Sequence, residues 1–395
     1  MLGPGGSGAS VLAAAAACGG SSPDRTSGLR ISDERDTLLV SFDGRSPLPD
    51  LLGVLRVPGE PVPVTASVDL LLIDPLEVVE QAWAEFTAAL TAVIGGRSAL
   101  PVVGTLASVA PGELTSLPGA QEFLLLRRIR DAATEGRWRR VVVDLSGAGD
   151  AFALLRAPTV LSAALERLWP RHVRLAAAAE KPALAQLSAA VEGIDRDCVD
   201  VADLFSDPHG VAAHLVVPAD SRGERAVGEM SAIADLTALP LRSVHVNAGP
   251  GGLDTRAVAE IARRVDGVVV QEIGAASGRI DRLSRVRRVA VDLPTPGGRP
   301  RGSGAMTVTH VGGEDLDSVF ELAWPQGLPD PARLALGRSG DDLLVTVSGF
   351  RHPVRLPPVL RRCTVGGADW RDGRLVLRFR PDPDVWPQRP MRSQP

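Results

Sequence analysis

Six short apolar runs, separated by long helical patterns, constrain this chain more than any other feature. DTLLVSFD (36–43), VDLLLID (68–74), RRVVVDLSG (139–147), HLVVPAD (214–220), LRSVHVNAG (241–249) and VRRVAVDLP (286–294) are rich in Val and Leu and mostly bounded by Asp, Gly, Pro or Asn. Near-continuous apolar runs suit strands buried on both faces, whereas strands with one wet face alternate. Between the runs the spacing predicts helices over 75–94, 120–136, 159–169, 182–192, 222–238 and 254–265. Strand and helix in alternation predict an α/β fold with a doubly wound, mostly parallel sheet, the architecture that binds ligands at the carboxyl ends of its strands.

Near residue 296 the texture changes to PGGRPRGSGA, which lacks periodicity and reads as a loop. From about 331 the pattern is β throughout: LLVTVSG and RLVLRFR alternate, and SGDD and RDGR supply turns. A chain of 395 residues has room for roughly two to three domains. The expected division is an α/β domain over 1–312, a small β-sandwich over 325–383 and a tail over 384–395.

A net charge of −4 gives no reason to expect a nucleic acid or an anionic membrane as partner. The arginines of LSRVRRVAVD (283–292) accordingly read as a solvated face. No apolar run reaches the roughly 18–20 residues of a membrane span. Cys18, Cys198 and Cys363 are far apart and form no CxxC pair, so neither a zinc site nor a disulfide framework is expected, and a reducing cytoplasm fits. The histidines are scattered singly and suggest no Ser–His–Asp set. Basic character rests almost wholly on arginine, since Lys181 is the one lysine.

GPGGSGAS (3–10) then carries the chemistry. A phosphate-binding loop works because successive backbone N–H groups and a helix N-terminus converge on phosphate oxygens, glycines permit the close approach, Ser or Thr binds Mg²⁺, and Lys neutralises the β/γ charge. Gly3, Gly5, Gly6, Gly8 and Ser10 have that spacing, and SVLAAAAA is a plausible helix start, but no lysine is present in the loop. A competing reading is an export signal, because VLAAAAAC puts small residues before Cys18; the first basic residue, however, is Arg25, and signal peptides need a positive start. Only Met1 and Leu2 precede Gly3. Such loops follow a buried strand, so the expectation is that the true start lies upstream.

The motifs in order resemble the ArsA family, the arsenite-pump ATPases and their tail-anchored-protein targeting relatives. GPGGSGASV is similar to the family's GKGGVGKTT. SFDGRSPLPDLLG (41–53) resembles its first switch, with Asp43 and Asp50 on matching positions. VVVDLSGAGDAFALLRAP (141–158) resembles the second switch, matching Asp144, Gly149, Leu155 and Pro158. VHVNAG (244–249) places Asn247 where the family has its adenine-contacting Asn, and the C-terminal segment resembles the α-crystallin-like domain of bacterial relatives.

The resemblance implies ATP held by Gly3, Gly5, Gly6, Gly8, Ser10, Asp144 and Asn247, magnesium near Ser10, Asp43 and Asp144, and a catalytic role for Asp43. It also implies a homodimer, or a heterodimer with a lysine-bearing paralogue, in the cytoplasm. Departures matter as well: Pro4 and Ala9 replace both family lysines, Asp150 replaces a His, and the family's paired zinc cysteines and Met-rich client groove are absent. Removing a cation that stabilises developing charge commonly costs on the order of 10²–10³ in rate, so the expectation is a pseudo-ATPase, with a slow active ATPase in anion transport or protein targeting as the alternative. Arg45 could replace the charge though not the geometry.

Overall fold

The computed structural model describes residues 1–19, 35–42, 44–94, 109–110, 113, 119–180, 182–248, 252–265, 267–297, 306–327 and 331–387. Helix α1 (Ala9–Gly19) leads into β1 (Arg35–Ser41), α2 (Leu48–Leu52), β2 (Val62–Pro63), β3 (Val68–Leu72), α3 (Pro75–Ile94), α4 (Ala120–Thr134) and β4 (Trp138–Asp144). There follow α5 (Ala151–Leu155), α6 (Ala157–Leu168), α7 (Arg171–Glu180), α8 (Pro182–Ser206), β5 (Ala213–Pro218), α9 (Ser221–Leu236), β6 (Leu241–Asn247), α10 (Thr255–Arg264), β7 (Val269–Ile273) and α11 (Leu283–Val286).

The strands form two half-sheets in the orders β2-β3-β1-β4 and β5-β6-β7, parallel except for β2. They are joined by the first two residues. The Met1 amino group donates to Val143 O (2.8 Å) and Leu145 N to Met1 O (2.9 Å), while Leu2 N donates to His214 O (3.0 Å) and Val216 N to Leu2 O (2.8 Å). Met1 and Leu2 therefore occupy the place of a strand between β4 and β5, and the glycine loop hangs directly from them. Side chains of β1, β4 and β5 alternate between two apolar layers, and β6 adds Val244 and Val246 to one of them. One, with Leu39, Val142 and Val216, packs under α1 and α2; the other, with Leu38, Val40, Val217 and Val246, packs on α4, α9 and α10.

The apolar runs at 36–43, 68–74, 139–147, 214–220 and 241–249 contain β1, β3, β4, β5 and β6. The run at 286–294 is not a strand. After α11 it forms an extended strap whose Val289, Val291 and Leu293 pack on the layer around α1, and Asp292 N donates to the Gln271 side chain (3.1 Å) instead of to a neighbouring strand. The last strand of the half-sheet is β7, a stretch the apolar-run reading passes over because Gln271 and Glu272 interrupt it. Helix α8 also runs well past the expected end at 192.

The C-terminal unit comprises β8 (Thr307–Gly312), β9 (Val319–Pro325), β10 (Leu334–Ser339), β11 (Asp342–Val347), β12 (Phe350–Arg355), β13 (Cys363–Arg371) and β14 (Arg374–Pro381). These pair antiparallel into sheets β13-β14-β9-β8 and β10-β11-β12 around Leu322, Trp324, Val345, Leu377 and Phe379. The β unit thus takes in residues from Thr307 onward, ahead of the expected 325. Most of the PGGRPRGSGA loop and the end of the expected tail, residues 388–395, lie outside the described residues.

Candidate nucleotide site

The site is built where β4 and β6 end and the glycine loop turns into α1. Gly3 has no room for a side chain: a Cβ there would lie 2.2 Å from Val216 O and 2.7 Å from the Ser7 hydroxyl. Gly6 and Gly8 have positive φ (77° and 87°), a conformation that costs a residue with a Cβ about 1–2 kcal/mol. Gly8 also sits against Asn247, whose amide nitrogen would be 2.5 Å from a Cβ at that position. Asn247 Nδ2 donates to Ser7 O (2.8 Å), so β6 holds the far side of the loop. Gly5 and Gly6 are exposed at its crest, with open space where a Cβ would stand.

Beyond Gly8 the chain enters α1, whose first backbone N–H groups lack carbonyl partners within the helix and point out past its start. Ser10, in the first turn, meets Ser146 at 2.7 Å between hydroxyls, and Ser146 donates through both its hydroxyl (2.5 Å) and its backbone N–H (3.1 Å) to Asp144 Oδ1. Asp144 ends β4 and is 1% exposed. The Met1 amino group beside it is pushed down to about 6 by burial, with Asp144 opposing.

Oxygen ligands from a hydroxyl and a buried carboxylate, completed by phosphates and water, are what Mg²⁺ takes. The glycine cradle and this donor set fit a magnesium nucleotide. Ser10 is the residue that would hold the metal, with the Asp144 carboxylate supporting it from behind Ser146, and among the described residues no cluster of His, Cys, Asp or Glu suits any other ion.

The structure brings Gly3, Gly5, Gly6, Gly8, Ser10, Asp144 and Asn247 together at one end of the sheet. Asp43 lies outside the described residues. Asp50 is exposed on α2 and pairs with Arg56 at 3.6 Å. Arg56 also donates to Gly44 O (2.6 Å) and Ser46 O (2.8 Å), fixing the turn after residue 43. Asp150 accepts from the backbone N–H of Phe152 and Ala153 (3.0 Å each) and caps α5. Sequence reasoning did not single out Ser146 or Arg56: one stands at an unremarkable position in a turn, the other is defined by a contact 10–12 residues away.

No cation occupies the lysine positions. Ala9 is 2% exposed and packs with Leu12, while Pro4 accepts the Ser7 N–H through its carbonyl (3.1 Å). Arg45 is exposed in the turn before α2, and Lys181 lies outside the described residues. The VLAAAAAC stretch is the body of α1, with Ala13 and Ala14 fully buried and the Cys18 thiol pushed up to about 11 by burial, against the pull of Arg287.

Comparison with known proteins agrees with this architecture. The sequence model of the anion-transporting ATPase family matches residues 1–222, more than half of the chain. The chain belongs to the ArsA family of anion-transporting ATPases. A second model, the HSP20-like domain found in ArsA, matches 321–379, most of the β unit. Protein Rv2184c of Mycobacterium tuberculosis is 33% identical, with 98% of this chain and 96% of that protein covered. SCO2128 of Streptomyces coelicolor is also 33% identical, over 98% of each. A protein of Chlorobaculum tepidum named "Putative arsenical pump-driving ATPase" is 21% identical over 87% of this chain and 88% of its own length. As a member of the ArsA family the chain is ATPase-like, and among its described residues no helix is long and apolar enough to cross a membrane.

Proposed function

We propose that this ArsA-family chain binds ATP with magnesium but hydrolyses it very slowly or not at all, acting as a nucleotide-dependent regulator or scaffold. The observation that carries the reading is the glycine loop held from both flanks, by Met1–Leu2 and by Asn247, with no lysine in it. Backbone N–H groups cradle phosphate only when both flanks are fixed, so binding has its framework. Charge at the β/γ phosphates has none of the help that a lysine gives. The family resemblance supports a cytoplasmic dimer, of two copies or with a lysine-bearing paralogue, and light scattering with and without nucleotide would test that association.

Calorimetric titration of the purified protein with Mg-ATP, followed by a phosphate-release assay, tests the central reading. The expected result is binding with release at background. Turnover of about 1 s⁻¹ or more, the ordinary enzymatic range, would favour an active ATPase in anion transport or protein targeting instead. Ala9→Lys should tighten ATP binding, and no change would argue that the loop is not a phosphate site.

A further inference from the structure

The hydrogens of the Ser10–Ser146–Asp144 chain can be placed from the donor inventory alone. A serine hydroxyl has one proton and two lone pairs. Ser146 gives its proton to Asp144 Oδ1, which also receives the Ser146 backbone N–H and so acts there purely as an acceptor. With that proton committed, the 2.7 Å contact between the two hydroxyls leaves Ser10 as the donor and Ser146 as the acceptor. The Ser10 proton therefore points down toward β4, and both of its lone pairs remain for whatever sits above the loop. A hydroxyl oriented in this way, with a carboxylate at the far end of the relay, is a better oxygen ligand than one free to rotate, because cooperative hydrogen bonding raises the electron density on the first oxygen. Asp144 itself is buried behind Ser146, so the carboxylate reaches Ser10 through that residue.

We infer that Ser146 is a positioning residue for magnesium: it orients the Ser10 hydroxyl and passes the charge of Asp144 to it, so that removing its hydroxyl weakens the metal-dependent part of nucleotide binding. The inference rests on the nucleotide reading above and deepens it. It sets Ser146 apart from Gly3, Gly8 and Asn247, which shape the loop and serve nucleotide with or without metal.

The test is calorimetric titration of the full chain with ATP in MgCl₂ and again in excess EDTA, for the unaltered protein, Ser146→Ala and Ser146→Thr. The unaltered protein should bind ATP more tightly with magnesium. Ser146→Ala should lose about 3–10-fold of that advantage, the fold-change of one net hydrogen bond, while affinity in EDTA stays within about twofold. Ser146→Thr, which keeps the hydroxyl, should restore the advantage, and melting curves of the variants should match. Equal weakening with and without magnesium, or an undiminished magnesium advantage in Ser146→Ala, would overturn the inference. An unaltered protein that binds ATP equally in both buffers would overturn it too, while leaving the nucleotide reading intact. No ATP binding in either buffer would bring both down.

Discussion

Gly5 and Gly8 stand three residues apart in one loop, and the structure asks different things of them. Gly5 has open space where a side chain would go, and its φ is not in the left-handed region. At Gly8 the φ of +87° and the Asn247 amide both exclude a Cβ. Gly8→Ala should therefore destabilise the fold by at least the 1–2 kcal/mol of the backbone conformation, with the Asn247 bond to Ser7 disturbed in addition. Gly5→Ala, as a surface change, should stay within about 0.5 kcal/mol. Chemical denaturation of the two variants checks this. Equal effects would mean that Asn247 does not hold the loop as the geometry requires.

Helix α1 shows how an element is anchored at both ends. It opens on the glycine loop, and at its last turn the guanidinium of Arg140 on β4 donates to Ala16 O (3.0 Å) and to Thr37 Oγ1 (3.2 Å). A cation at a helix C-terminus is favoured by the helix dipole. Desolvation lowers the Arg140 pKa, with Asp36 opposing. Neighbouring strands carry a polar chain under the same sheet face: His214 Nδ1 meets Ser243 Oγ at 2.7 Å, and Ser243 Oγ meets His245 Nε2 at 2.8 Å. Burial holds His214 down at about 2, with the Met1 amino group, His245, Arg242 and Arg140 adding to the effect, and holds His245 down at about 4. A histidine kept neutral in the fold but ordinary when unfolded makes the unfolded state bind more protons at acid pH. The histidines' contribution to stability is therefore intact above about pH 6.5 and falls as pH drops below it. For each of the two histidines the loss should be about 2 kcal/mol by pH 5. Denaturant titrations at pH 7.5 and pH 5 read this out, and Ser243→Ala is not a substitute because it leaves both rings buried. A His214→Gln, His245→Gln variant with the same acid sensitivity as the unaltered protein would refute the assignment.

For the whole molecule, the contact between the α/β unit and the HSP20-like unit matters most. Phe152 of α5 meets Phe350 of β12 edge-to-face with centroids 6.1 Å apart, and Arg156 lies 4.8 Å over the same ring while donating to Arg351 O. Gln326 Nε2 donates to Ala232 O of α9 (2.6 Å), Gly327 N to Asp235 Oδ2 (2.7 Å), and Arg333 pairs with Glu229. The β unit thus grips α5, the helix that follows Asp144 and its turn, and a single apolar cluster runs through both units. One cooperative unfolding transition is expected. Phe350→Ala should cost about 3–5 kcal/mol, and a double-mutant cycle with Phe152→Ala should show coupling of about 0.5–1.5 kcal/mol, the worth of an aromatic pair. Additive single effects, or two separate transitions, would mean that the units are merely tethered.

What the sequence determined by itself was everything that short-range chemistry encodes. Continuous apolar runs marked β1, β3, β4, β5 and β6; the carboxylates of Asp150, Asp220 and Asp254 at strand-to-helix turns capped α5, α9 and α10; and glycine spacing located the loop. Periodicity reports which side chains are buried, not which backbone a strand bonds to. So the strap at 287–293 could not be told from a strand, and β7, broken by Gln271 and Glu272, was passed over. Only the tertiary structure decided that Met1 and Leu2 join the two half-sheets, that Asn247 presses on Gly8, that Ser146 stands between Ser10 and Asp144, and that Phe152 carries the β unit. Apart from the step from Ser146 to Asp144, each of these joins residues more than a hundred positions apart, and their meeting is fixed by the order in which strands pack, which no local pattern of residues records.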